Sequence, residues 1–111
     1  MTSKKHIAES FLQLASSGQV DEAFARYVHP DFIHHHAYFA GDRQSLLQAM
    51  KDNVRQFPHK TYQTLRAIEE NELVAIHGKV VLTPESKWSV IHIFRFKDNL
   101  IFESWEASQQ V

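Results

Sequence analysis

The hydrophobic period of this chain changes once, at Pro58. Before it, apolar residues recur every three or four positions; after it, they alternate. A chain that is helical first and hairpin-linked afterwards folds as an α+β domain with a mainly antiparallel sheet.

In the helical half, Thr2 or Ser3 can cap a first helix carrying Ile7, Phe11 and Leu14, and Gly18 stops it. Asp21 is the expected cap of a second helix with Phe24, Tyr27 and Val28 on one face, ended by His29-Pro30. Asp31 to His36 is a short β-compatible stretch. Gly41-Asp42 then opens a third helix whose Leu46, Leu47, Met50, Val54 and Phe57 form a stripe before Pro58. In the second half, strands are expected over His59–Glu69, Leu73–Leu82, from Trp88, and from Leu100 to about Ser108. Glu70-Asn71 makes a turn, 83–86 a loop, and Lys97-Asp98-Asn99 a three-residue hairpin loop.

The 111 residues suit one domain, and 43% hydrophobic content with eight Phe, three Tyr and two Trp is enough for a real core. At this size the core is modest, so dimerisation would help. Twelve Lys+Arg against thirteen Asp+Glu leave a formal charge of −1, with no basic excess to hold nucleic acid or an anionic membrane. The absence of cysteine excludes disulfides, thiolate metal sites and cysteine nucleophiles. Apolar runs are too short to span a bilayer, and the opening residues lack the apolar core of a secretory leader, so a cytoplasmic protein is expected.

Eight histidines place much of the ionisable chemistry near neutral pH; protonating all of them would carry the formal charge from −1 to +7. On the strand from Trp88, His92 shares an apolar face with Val90, Phe94 and Phe96. A three-residue loop after Phe96 would pair His92 with Ser104 and set Glu106 one diagonal step away, within reach for an acid–base couple. A two-residue turn would shift the pairing by one and separate them. The same pattern also describes a core histidine and a glutamate that reaches solvent from a strand end. In an extended His34-His35-His36 run, His35 faces one way and its neighbours the other. His34 and His36, with His77 or His92, are candidates for a metal centre, with Glu106 as a further ligand or base. The Phe-rich inner face, with His92 and Glu106 embedded, suits the wall of a small-molecule pocket. Wall residues expected to meet a ligand are Trp88, Phe94, Phe102, Ser104 and His36.

Three further stretches carry a resemblance. Asp31–Leu47 reads DFIHHHAYFAGDRQSLL, Glu72–His77 reads ELVAIH, and the C-terminal stretch reads VIHIFRFKDNLIFESWEASQ. In this order they resemble the SnoaL-like polyketide-cyclase branch of the nuclear-transport-factor-2-like superfamily. The resemblance implies a cone-shaped fold, with three helices packed in a curved, mixed but mainly antiparallel sheet around an apolar cavity. It sets His35 on the family histidine, with His36 and Ala37 where Asn and Pro are usual. His92 falls on the first acidic-or-His site, Trp105 on the tryptophan, and Glu106 where the family has aspartate. It implies cavity polar groups His35, His77, His92 and Glu106, metal-free and cofactor-free acid/base chemistry, and pairing into homodimers through outer sheet faces. The expectation that follows is an enzyme acting on a small, mostly apolar carbonyl compound by aldol condensation or cyclisation, isomerisation or dehydration. Glu106 would move a proton α to the carbonyl, His92 would hold Glu106 or exchange its proton, and His35 with His77 would orient or polarise the oxygen. The alternatives are a non-catalytic ligand-binding dimer and a histidine-based metal enzyme.

Overall fold

A computed structural model describes residues 3–35 and 41–111. Helices α1 (Lys4–Ser16), α2 (Val20–Tyr27) and α3 (Arg43–Gln56) combine with strands β1 (Val28–His35), β2 (Thr61–Glu70), β3 (Leu73–Thr83), β4 (Ser86–Lys97) and β5 (Leu100–Gln110). The five strands form one sheet in the order β1-β5-β4-β3-β2, antiparallel except that β1 runs parallel to β5. The helices pack on its inner face, which gives the α+β, cone-like arrangement of a curved open sheet over three helices. No helix among the described residues is long and apolar enough to cross a membrane.

Local chemistry sets the helix starts. Ser3 caps α1, its hydroxyl accepting from the His6 amide at 3.1 Å, and Asp42 caps α3 by accepting from the Ser45 amide at 3.0 Å. Asp21 does not cap α2. The helix begins at Val20 after Gln19, and Asp21 and Glu22 lie in its first turn, where their charge meets the positive end of the helix. The chain then passes straight from Tyr27 into β1, so His29-Pro30 lies in a strand and does not end the helix. Proline is tolerated there because β1 is an edge strand and its ladder is interrupted between Val28 and Ile33.

The core forms where the two halves meet. Phe11 of α1 packs edge-on against Phe24 of α2 at 5.4 Å and against Phe94 of β4 at 6.0 Å. Val74, Ile76 and Ile101 complete the sheet side and are fully buried. The inner face is therefore even-numbered on β3 and β4, as alternation requires.

The last two hairpins close more tightly than the sequence suggested, and the first turn is shifted by one residue to Asn71-Glu72. Glu70 pairs with Leu73, Thr83 with Ser86, and Lys97 with Leu100, leaving two-residue turns. In the last turn Asp98 and Asn99 both adopt left-handed conformations, with φ of 54° and 60°, the geometry that matches the twist of adjoining strands. By itself this turn would bring Glu106 opposite an odd-numbered, outward residue. A bulge prevents that. Phe96 pairs with Ile101 but Arg95 pairs with Glu103, so Phe102 is the extra residue, and His92 lies directly opposite Glu106.

Candidate active site

A cavity of about 390 Å³ opens between the helices and the inner face of the sheet. Its wall is mostly apolar, with Leu12, Leu46, Met50, Val80 and Val90 among its members. Glu106, His92, Lys60, Asn53, Tyr62 and Trp88 supply its chief polar groups. The Glu106 side chain keeps 21% of its exposure, while His34 and His92 beside it keep only 2% and 10%.

Glu106 stands between two imidazoles. Its Oε1 lies 3.8 Å from His92 Nε2 on β4 and 3.8 Å from His34 Nε2 on β1. Each ring is stacked on the aromatic neighbour two positions along the same strand face: His92 on Phe94 at 5.6 Å, His34 on Phe32 at 6.2 Å. His34 Nδ1 shares a 2.5 Å hydrogen bond with the buried hydroxyl of Ser104, which fixes the ring with Nε2 turned to the carboxylate. At 3.8 Å both rings lie just beyond direct hydrogen-bond contact with Glu106.

The histidine run is shifted by one from its expected facing. His34, paired with Ser104, points inward; His35, paired with Trp105, points outward. Phe32, Ile33, His34 and His35 are buried, exposed, buried and exposed in turn, so the largest apolar residue of the strand, Phe32, sets the parity. His35 stacks on Trp105 at 5.1 Å, and its Nε2 donates to Glu103 Oε2 at 2.7 Å. Arg95 also donates to Glu103, from Nε at 2.8 Å. Burial pushes the Glu103 carboxyl up, but the hydrogen bonds and charges of His35 and Arg95 outweigh it and hold it below the usual carboxylate range.

His77 is also on the outer face and away from the cavity. It pairs across the ladder with Ile91, a strand neighbour whose side chain is exposed. Arg66 has only donors, so His77 Nδ1 accepts from it, and Nε2 then donates to Ser89 Oγ at 2.9 Å. Phe102, the bulge residue, is turned outward as well, beneath Arg95 and Lys97 and against His29. Phe94 and Ser104 face inward but are sealed, Phe94 within the core and Ser104 behind His34, so neither lines the cavity. Trp88 does line it, its indole donating to Ser86 Oγ at 3.0 Å. His36 lies outside the described residues.

The sequence offers His34 only as a metal-ligand candidate, and Lys60 not at all. His34 could have been found from Phe32, which is two residues away on the same face. Lys60 gives no such signal: it is one polar residue among several between Pro58 and β2. It is anchored by a 2.6 Å hydrogen bond to Asn53 Oδ1. Burial pushes its ammonium down from the ordinary lysine value, against the opposing pull of the Glu106 charge. A three-histidine metal centre is not assembled from His34, His35, His77 and His92, because they divide between opposite sheet faces. Among the described residues no group of three or more His, Asp or Glu side chains has the spacing of a metal centre.

Comparison with known proteins agrees with this fold. The sequence profile of the SnoaL-like domain matches residues 8–104, which is most of the chain. The protein belongs to the SnoaL-like family. No curated protein sequence matches this SnoaL-like chain. Among solved structures it is similar to AclR, a putative hydroxylase from Streptomyces galilaeus, at 15% identity and a TM-score of 0.83, covering 96% of this chain and 88% of that one. It is also similar to a putative polyketide cyclase from Acidithiobacillus ferrooxidans, at 17% identity and a TM-score of 0.81, covering 98% and 90%. An NTF2-like protein of unknown function from Cytophaga hutchinsonii matches at 9% identity and a TM-score of 0.80, covering 98% and 92%. At these identities the likeness establishes the SnoaL-like fold and leaves the chemistry to the site.

Proposed function

We propose that this SnoaL-like protein is an acid/base enzyme acting on a small, mostly apolar carbonyl compound, without a cofactor. The reaction class is aldol condensation or cyclisation, isomerisation or dehydration, all of which begin by moving a proton α to a carbonyl. One observation carries the reading: a single carboxylate oxygen of Glu106 lies 3.8 Å from each of two buried imidazoles, at the wall of an apolar cavity. Glu106 takes the α-proton, and His92 and His34 hold the carboxylate and relay its charge. Among the solved structures of similar fold, the names of several refer to polyketide cyclases, a chemistry of the same type. A cavity of about 390 Å³ lies low in the range of roughly 300–1,000 Å³ common for ligand sites, which favours compounds of one or two rings.

The test is incubation of the protein with a panel of enolisable ketones in D2O, read by mass spectrometry. Deuterium gained at the α-carbon above the buffer rate supports the enzyme. Every compound bound yet recovered unlabelled makes the cavity a passive pocket and refutes the proposal.

We also propose that the protein pairs with a second copy through the outer sheet face. Ile33, Ile91 and Ile93 there are 46%, 48% and 38% exposed, on neighbouring strands around Trp105, an apolar surface of the kind that marks an interface. Light scattering should give a dimer for the wild type and a monomer for Ile91→Lys with Ile93→Lys. A wild-type monomer at micromolar concentration contradicts it.

A further inference from the structure

With His35 and His77 on the outer face, nothing yet assigned to the cavity meets the carbonyl oxygen. A base that removes an α-proton leaves negative charge on that oxygen, and catalysis needs a fixed donor where the charge develops. Two other polar groups of the wall already have partners within it: the Trp88 indole donates to Ser86, and the Tyr62 hydroxyl shares a hydrogen bond with Thr64 Oγ1 at 2.9 Å. Lys60 is placed differently. Lys60 lines the same apolar cavity as Glu106, yet among the described residues no direct ion pair joins them. Its anchoring partner is a neutral acceptor, Asn53 Oδ1. An ammonium has three N–H groups, so one hydrogen bond to Asn53 leaves two.

We propose that Lys60 is the oxygen-binding residue of the cavity, and that the ligand class is enolisable carbonyl compounds bound with the oxygen on Lys60 Nζ and the acidic C–H toward Glu106. The inference rests on the reading of Glu106 as the base. As Glu106 takes the proton, the C–H pair becomes the enolate C=C bond, the carbonyl π pair moves to oxygen, and the ammonium meets the charge formed there. Return of the proton to the same or another carbon reverses the shift, so the step needs no oxidant or reductant. A lysine in an apolar wall is costly to bury, and a role at the developing oxyanion accounts for its presence.

The probe is 4-nitrophenol, whose phenolate imitates a planar enolate oxygen and is read by its own absorbance. Wild type, Lys60→Met, Lys60→Arg and Glu106→Gln are titrated with it across its ionisation, each first checked for native near-UV dichroism. The wild type should bind phenolate over neutral phenol. Lys60→Met should weaken phenolate binding at least ~10-fold, as expected for a lost hydrogen bond to a charged group, with little change for the phenol. Lys60→Arg should keep most of the preference. Glu106→Gln should keep or strengthen it, because it removes a neighbouring negative charge. Equal phenolate affinity in Lys60→Met and wild type overturns the proposal, as does a wild type that binds neither form. If Lys60→Met does not fold, Lys60→Arg and Lys60→Gln decide by the same comparison. The base reading is judged separately, by α-deuterium exchange in Glu106→Gln; its failure leaves the phenolate comparison intact.

Discussion

Gly78 lies on the inward face of β3 opposite Thr64, with the ring of Tyr62 folded over it. A Cβ at position 78 would stand 2.6 Å from Tyr62 Cε1, 2.8 Å from its hydroxyl oxygen and 2.9 Å from Cζ. Ordinary contact begins near 3.4 Å, so in Gly78→Ala the ring must retreat by about 0.8 Å, a displacement of the overpacking kind. Tyr62 is buried and its hydroxyl is tied to Thr64, leaving the cavity as the direction of escape. Overpacking of this kind costs about 1–3 kcal/mol, and loss of the Tyr62–Thr64 hydrogen bond adds about 1 kcal/mol. Urea unfolding should therefore show a lower midpoint with unchanged slope. A double-mutant cycle with Tyr62→Val should abolish most of the cost, since the two residues clash only with each other. A ring pushed into the cavity should also weaken 4-nitrophenolate binding. The reasoning is refuted if Gly78→Ala unfolds within about 0.5 kcal/mol of wild type, or if its cost is the same when Tyr62 is valine.

Adjacent histidines should behave oppositely. His34→Ala leaves the buried Ser104 hydroxyl unpaired and Glu106 without one flank, so it should lower α-proton exchange and cost about 1–3 kcal/mol, whereas His35→Ala should leave exchange unchanged. Glu103 is held below its ordinary value of 4.5, so its stabilisation is present above that value and is lost as pH falls through the folded value. Glu103→Gln should be less stable than wild type at pH 7, and the two unfolding curves should converge in acid. For Lys60 the sign is reversed: a lowered lysine pKa leaves the folded state with fewer protons, and stability rises with pH toward 10.5. Lys60→Met should be more stable than wild type at pH 7 in chemical unfolding, by a margin that narrows as the pH approaches that value.

Much of the fold was legible because single residues announce it. Ser3 and Asp42 cap where a hydroxyl and a carboxylate should, and the alternation from Val90 to Phe96 gives the inner face of β4. The site was less legible, since it depends on parity between strands. The expected three-residue loop is a two-residue turn, and the bulge at Phe102 restores the facing that this turn would have lost. His92 and Glu106 thus meet more closely than the sequence suggested. At that bulge Arg95 and Lys97 cover the Phe102 ring, and alternation carries no trace of it. In β1 the family motif points to His35, but the burial of Phe32 turns His34 inward in its place. His77 lies outside because Val74, Ile76 and Gly78 take the inner face of β3, and the sequence of β3 alone leaves either face open.

The central claim is that Glu106 moves a proton. Its most direct test is the rate of α-deuterium incorporation into an enolisable ketone by wild type, Glu106→Gln and Glu106→Asp, each confirmed folded. Glutamine keeps the shape but cannot accept the proton, so exchange should fall by about 10²–10⁴-fold. Aspartate withdraws the carboxylate by one bond, about 1.5 Å, and should fall between the two. Exchange by Glu106→Gln at the wild-type rate would contradict the account.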